Sequence, residues 1–378
     1  MNAVEQFTVT AIAYGGEALG RLESGEVCFL RGALPGEKVT VGITERKKRF
    51  ARGKLNSVEN ESPHRIAPAC PCASECPGCS FQHCTYELEL EWKQKQFERF
   101  LKDFPGERLP IFPSPFRFGW RNRLKVACEK GKAGYRGFDN TTLVPIEKCL
   151  LATSEINEAL RQTPIPDEGT LFFRSTPSWC GEIDGFSEKY LTEEIPSFGE
   201  FFVPPAGFFQ TNPHVASELC RRVLETIDRY NVRSMLELFC GTGVFSLAAA
   251  SQKKDLHARG IELASESITA ARCNAEKRAL SERCTFEAGD AVRFQTQHLY
   301  DMVLVDPPRS GLEPKLVKKL LQSEIPVLVY ISCGPDTLSR DLKLLTSKYE
   351  VVESGALDMF PCTAHFETFT ILNLRKQC

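Results

Sequence analysis

The chain has almost no net charge and no stretch apolar enough to cross a bilayer. Its 47 lysines and arginines against 49 aspartates and glutamates leave a formal −2. Any affinity for a polyanion must therefore come from local patches rather than from the overall balance. The missing apolar run excludes a helical membrane span. The opening residues, Met1 to Val9, show no basic segment followed by an apolar one, so no signal peptide is expected. Sixteen cysteines without an export signal read as reduced thiols, metal ligands or catalytic thiols of a cytoplasmic protein, not as a disulfide framework. What is present is the composition of a soluble globular protein, 42% hydrophobic and 25% charged over 378 residues. That length exceeds one ordinary core, so two or three domains are expected.

Between Phe7 and Ser57 short β-like runs alternate with glycine turns, which reads as a small all-β barrel. Its last hairpin sets Arg46, Lys47, Lys48, Arg49, Arg52 and Lys54 against one acid, Glu45, with Phe50 among them. A basic ribbon with an aromatic suits a nucleic-acid backbone and a stacked base; lysines also protect an exposed edge strand from aggregation. The runs Tyr14–Arg21 and Phe29–Glu37 resemble the TRAM domain, an RNA-binding barrel, and that resemblance implies RNA. A second basic and aromatic stretch, Phe116–Arg136, has seven cations and one acid, with Phe116, Phe118, Trp120 and Tyr135 interspersed. Single-stranded RNA is held by such a combination, although alternation such as Arg121, Arg123, Lys125 also fits a strand with one wet face. The stretch from Thr163 to Glu200 is acidic and loop-rich and says little of function.

Five cysteines, Cys70, Cys72, Cys76, Cys79 and Cys84, fall within fifteen residues, separated by prolines and a glycine that keep the segment out of a helix. Several sulfurs can then turn inward on one ion or cluster. A zinc ribbon would want a second Cys-x-x-Cys pair, and the distal half of the chain has none. Cys72-x3-Cys76-x2-Cys79 has the spacing of radical S-adenosylmethionine enzymes, but the repeated strand–helix barrel of those enzymes does not follow it. Cys70-x5-Cys76-x2-Cys79 with a distant fourth ligand describes a closed cluster instead, and Cys149 is the best-placed fourth residue.

The remaining half reads as a nucleotide-binding fold. Ser234-Met-Leu-Glu-Leu-Phe239-Cys-Gly241-Thr-Gly243 is an apolar strand ending in a glycine turn that opens a helix. Three further strands end in acids. Glu262 is placed to take ribose hydroxyls, Asp290 to read an adenine amino group, and Asp306 opens Asp306-Pro-Pro-Arg309. A dehydrogenase would need a third glycine near Ser246, so S-adenosylmethionine fits better than a nicotinamide. Amino-group methyltransferases place an aromatic after Asp-Pro-Pro; Arg309 stands there, which makes N-methylation the second choice. A buried strand, Val327–Ile331, then delivers Cys333 to a turn before a helix that Asp336 or Thr337 could cap.

Phe209-Gln-Thr-Asn212, Leu238–Gly243, Asp306–Arg309, Tyr330–Leu338 and Met359–Glu367 together resemble the RNA uracil-5-methyltransferases over nearly the whole chain. Within that family the likeness is to the branch with a TRAM domain and a four-iron cluster. The resemblance implies cluster ligands at Cys70, Cys76, Cys79 and Cys149, with Cys72 and Cys84 as extras. It implies cofactor contacts at Gln210, Phe239, Glu262, Asp290 and Asp306, while Val244 departs from the family's usual asparagine. It also implies Cys333 as nucleophile and Glu367 as base. The expected architecture is a multi-domain chain. A TRAM/OB-like small β-barrel spans 1–58, a central α+β iron–sulfur domain 59–200, and an α/β Rossmann-like class I methyltransferase domain 201–378. The expected activity is methylation of a uridine in 23S rRNA by a monomer using S-adenosylmethionine and a [4Fe-4S] cluster. A tRNA T-loop is the alternative substrate, and a non-catalytic RNA-binding iron–sulfur protein the alternative class.

Overall fold

In the computed structural model, which describes residues 3–294 and 300–376, β1 (Val4–Ile12), β2 (Ala18–Arg21), β3 (Val27–Leu30), β4 (Lys38–Arg46) and β5 (Phe50–Glu59) close into a barrel in the order β1-β2-β3-β5-β4. Period-two alternation turns Phe7, Val9, Cys28, Leu30, Val39, Val41 and Ala51 inward. Gly20 lies under the Phe7 ring, where a Cβ would come within 2.3 Å of it. The basic hairpin is β4–β5, but its charge is partly neutralised from neighbouring strands. Arg46 pairs with Glu5 at 2.5 Å and Glu26 at 3.5 Å, Lys47 with Glu45 at 2.9 Å, and Arg52 with Glu17. Lys48 and Arg49, both exposed, form no ion pair among the described residues.

The cysteine-rich segment follows in turns, without helix or strand. Helix α1 (Tyr86–Leu101) starts at Thr85, whose hydroxyl accepts from Leu88 N, and is followed by β6 (Glu107–Phe112). β7 (Arg123–Glu129), β8 (Lys132–Arg136), β9 (Leu143–Pro145), β10 (Glu168–Ser175) and β11 (Cys180–Glu182) form an antiparallel sheet in the order β11-β10-β7-β8-β9. Helix α2 (Ser154–Gln162) covers it with Ile156 and Leu160 on Leu124, Val126 and Phe173. The region from Thr163 to Glu200 is loop-rich but also carries strands. It holds β10, β11 and the hairpin β12 (Leu191–Ile195) and β13 (Gly199–Val203). Its acids misled because one of them, Glu193, is buried against Arg174 at 2.5 Å.

The C-terminal part alternates α3 (Pro213–Tyr230), β14 (Ser234–Leu238), α4 (Val244–Gln252), β15 (His257–Glu262), α5 (Ser265–Lys277), β16 (Cys284–Ala288), β17 (Met302–Val305), α6 (Pro314–Ser323), β18 (Val327–Ser332) and α7 (Pro335–Leu345). It closes with β19 (Tyr349–Leu357) and β20 (Glu367–Leu374). One sheet results, ordered β16-β15-β14-β17-β18-β20-β19-β6, parallel from β16 to β18, with β20 antiparallel to β18 and β19 to β20. Every residue of β18 is buried, as a strand covered on both faces requires. The expected boundary at 200/201 is crossed by packing. β6 pairs in parallel with the edge of β19, while Phe97, Leu101 and Phe104 complete one face of the sheet and Ile195 and Phe198 the other. An uncovered β19 would present a row of unpaired backbone groups, which β6 satisfies. No helix among the described residues is long and apolar enough to cross a membrane.

Candidate active site

The parallel strands end on one edge, and strand order reverses between β14 and β17, the place where open α/β sheets bind ligands. Past β14 the chain turns with Phe239, Gly241 and Gly243 at φ 63°, 53° and 81°. At Gly243 a Cβ would stand 2.6 Å from the Phe286 ring, so only glycine lets helix α4 begin here. Glu262, at the tip of β15, accepts from Gly241 N at 3.2 Å and Ala264 N at 2.9 Å. Asp290, past β16, is exposed and accepts from Val292 N at 2.9 Å. Asp306 follows β17, and Gln210 Nε2 donates to its Oδ2 at 3.5 Å from the segment before α3. The five expected cofactor residues thus share one edge. Leu263, 77% exposed beside Glu262, adds an apolar face that the acidic pattern did not reveal.

Ser246, noticed in the sequence only as a missing glycine, has a structural task. Its N–H at 2.8 Å and its hydroxyl both donate to Glu237, buried in β14 and pushed up to about 7 mainly by that burial.

Cys333 is half-buried where β18 meets α7. Ser332 pairs with Thr368, whose hydroxyl donates to Ser332 O at 2.9 Å, so Glu367 at the start of β20 faces the same turn. Burial, then the carboxylates of Glu367 and Asp306, push the Cys333 thiol up to about 11, and the Arg309 guanidinium pulls it down. Asp306 is pushed up to about 7 by burial, opposed by the Gln210 hydrogen bond. Burial and then Asp306 hold Glu367 well above the usual carboxylate range, against the pull of Arg309. Arg309 Nη2 lies 2.7 Å from Nδ1 and 2.9 Å from Nε2 of His365, an imidazole pushed down to about 4 by burial and then Arg309. A thiol, two carboxyls and a guanidinium therefore share one electrostatic site.

The helix after Cys333 is not capped by Asp336 or Thr337. Gly334 occupies the cap and Pro335 the first turn, where its missing N–H costs nothing. Thr337 instead donates to Gly334 O at 2.9 Å and Arg309 O at 3.1 Å, tying the two loops together. Tyr14 also arrives from the barrel. Its ring lies 5.1 Å from Phe100 and 6.5 Å from Phe366, and its hydroxyl is pushed up to about 12 by burial and then by Asp336.

Of the cysteines, Cys76 and Cys79 each feel the charges of Cys149 and Cys70, and burial pushes Cys79 up to about 12. Gln82 bridges two of them, donating to Cys79 Sγ at 3.2 Å and accepting from Cys70 N at 2.9 Å. Cys149 packs with Cys79 on Trp120 and Cys362. The Tyr135 hydroxyl is buried beside Cys149 and Cys76. Among the described residues no three cysteine, histidine or acidic side chains are close enough to share a single ion. Cys72 lies beside Cys70, its thiol donating to Pro145 O at 3.6 Å and pushed up by burial and then by Cys70.

Comparison with known proteins agrees with this arrangement. Residues 186–375 match the tRNA (uracil-5-)-methyltransferase family and residues 4–55 the TRAM domain. An uncharacterised RNA methyltransferase of Listeria innocua is 30% identical over 99% of both chains. The tRNA (uracil(54)-C(5))-methyltransferase of Pyrococcus abyssi is 29% identical over 89% of this chain and 93% of its own. The crystal structure of a P. abyssi tRNA (uracil-54, C5)-methyltransferase with S-adenosyl-L-homocysteine superposes with a TM-score of 0.78 at 26% identity, over 97% of this chain and 100% of that one. With a half-buried thiol and two carboxyls at one edge of the sheet, and a small barrel before them, the chain belongs to the tRNA (uracil-5-)-methyltransferase family and carries a TRAM domain at its N-terminal end.

Proposed function

We propose that this protein transfers a methyl group from S-adenosylmethionine to C5 of a uridine in RNA through a covalent adduct. The observation that carries this reading is the convergence of Cys333, Asp306, Arg309 and Glu367 at the ends of β17, β18 and β20. Uracil C5 is too weak a nucleophile to attack a sulfonium unaided. The Cys333 thiolate adds to C6, the C5–C6 π electrons pass toward C4–O4, and C5 becomes carbanion-like. C5 takes the methyl group, leaving S-adenosylhomocysteine. Glu367 removes the proton that remains on C5, the C5–C6 double bond re-forms, and the Cys333–C6 bond breaks. Asp306 is placed to hold the uracil edge, and Arg309 to stabilise charge at O4. Gln210, Phe239, Glu262, Asp290 and Asp306 would hold the sulfonium donor. The P. abyssi structure holds the demethylated form of that donor, which supports this choice.

Cys70, Cys76, Cys79 and Cys149 are the ligands we propose for an iron–sulfur cluster, on their spacing in the chain. Cys149 packs with Cys79 against Trp120 and Cys362, and Gln82 joins Cys79 to Cys70, which supports this grouping. Such a cluster would supply a fixed crosslink between the cysteine-rich loop and the segment that carries Cys149, and a redox centre where its potential allows. Anaerobic purification should yield iron and sulfide in comparable amounts; zinc alone would refute the assignment.

The stacked duplex shelters C5, so the target is a loop base or one turned out of its stack. Our first reading is a 23S rRNA uridine; the tRNA-specific name of the 29% identical relative favours uridine 54 of tRNA as the second. Mapping 5-methyluridine in RNA from cells lacking the gene decides between them. RNA with 5-fluorouridine at the target should form a stable adduct through Cys333, since fluorine does not leave as a proton. Full methyl transfer by Cys333→Ala would exclude the covalent route.

A further inference from the structure

The segment from Asp358 to Phe366, which delivers His365 and Glu367 to the site, has neither helix nor strand, yet nearly all of it is buried. Such a segment takes its order from side-chain partners, and here they come from α1 and from the cysteine-rich loop. Lys93 Nζ donates to Asp358 Oδ1 at 2.6 Å, to Glu89 Oε1 at 2.7 Å and to Phe360 O at 3.2 Å. The Tyr86 hydroxyl donates to Asp358 Oδ2 at 2.8 Å. Glu89 Oε1 also accepts from Cys362 N at 2.7 Å, and Arg117 Nη2 donates to Glu89 Oε2 at 3.2 Å.

Lys93, Glu89 and Asp358 are at most 1% exposed. A buried charge network of this kind is no better for stability than well-packed apolar side chains, but it fixes geometry. Cys362, at the centre, is held at φ 65°, a conformation that non-glycine residues adopt only under constraint. Its carbonyl accepts from Ser80 N at 2.7 Å and Phe81 N at 3.0 Å, the two residues that directly follow Cys79. Gly16 closes the junction from the barrel side, with no room for a Cβ against Ser80.

We propose that Glu89 and Lys93 are positioning residues that set Glu367 through the 358–366 segment, and that the cysteine-rich loop bears on the reaction through the Cys362 carbonyl. The inference rests on the reading of Glu367 as the base that removes the C5 proton. Cys333 sits on the β18–α7 turn, outside this network, so disturbing the network slows proton removal more than C6 addition.

Glu89→Ala loses the acceptor for Cys362 N–H, whereas Glu89→Gln keeps it. With uridine RNA, Glu89→Ala should accumulate the methylated adduct about tenfold above the unaltered protein. Its rate of adduct formation with 5-fluorouridine RNA should stay within about twofold, and Glu89→Gln should restore turnover. Equal slowing of both steps, or failure of Glu89→Gln to restore turnover, would overturn the proposal. If the unaltered protein forms no adduct, it is the covalent reading that fails. Hydrogen exchange gives a readout independent of turnover. In full-length Cys79→Ala, amides from Cys362 to Phe366 should exchange faster while those of β14 and β17 do not change; unchanged exchange at Cys362–Phe366 would exclude the link to the cysteine loop.

Discussion

With its thiol pushed up to about 11, Cys333 is mostly protonated near neutrality, and its ionisation answers to its neighbours. Asp306 raises it and Arg309 lowers it, so the two side chains should have opposite effects on reactivity. At about pH 7.5, iodoacetamide should label Cys333 faster in Asp306→Asn and more slowly in Arg309→Met, by roughly threefold to tenfold each way. Peptide mass spectrometry measures this; equal labelling in both variants would show that the thiol ignores these charges. Glu367 makes a second prediction. Its carboxyl is raised by burial and Asp306, so the folded protein holds a proton that the unfolded chain releases near the ordinary carboxylate value. The stability this confers is complete below that value and is lost as pH rises through the folded one. Glu367→Gln, which cannot ionise, should therefore melt higher than the unaltered protein at pH 8, on the order of 1–3 °C, with the gap closing toward pH 4. A melting-temperature difference independent of pH would contradict this account.

The β4–β5 hairpin shows how a pattern legible in sequence is redistributed by pairing between strands. Six cations near one acid read as a uniform ribbon, but Glu5, Glu17 and Glu26 arrive from β1, the β1–β2 turn and the strand approach to β3. Lys48 and Arg49 at the tip remain free to meet phosphates. Lys48→Ala and Arg49→Ala should each weaken RNA binding and lower the salt slope by about one, whereas Arg46→Ala, which breaks pairs with Glu5 and Glu26, should change the slope less. Filter binding across a salt series tests the ranking, and an equal effect from Arg46 would mean that its ion pairs open on the RNA. The strands β14, β17 and β18 were readable because they are buried on both faces and lead to the glycine turn, Asp306 and Cys333, and β15 and β16 because a short apolar run leads into Glu262 and Asp290. β10 and β12 were not, because the acid on β12 is neutralised by Arg174, nineteen residues earlier, and no local spacing reports such a pair. Ser246 was unreadable for a related reason: its partner Glu237 looks like an ordinary strand residue until its burial is known.

Across the whole molecule, the units read from the sequence and the units that pack are different. The barrel has its own core of Phe7, Val9, Cys28, Leu30, Val39 and Val41, all drawn from one short stretch of chain. The methyltransferase sheet has no such independence. Its edge is completed by β6, one face by Phe97, Leu101 and Phe104, and the other by Ile195 and Phe198, all from before residue 201. Sequence patterning cannot announce this, because a helix and a strand that complete a distant sheet carry the same apolar spacing as ones that pack locally. A fragment of residues 201–378 would leave the hydrogen-bonding groups of β19 open and strip apolar cover from both faces of its sheet. It should aggregate or unfold without a cooperative transition, while residues 1–60 should give a dispersed amide spectrum, though with the low stability of so small a core. A fragment 201–378 that melts cooperatively and binds S-adenosylmethionine would show that β6 and α1 decorate this domain rather than complete it.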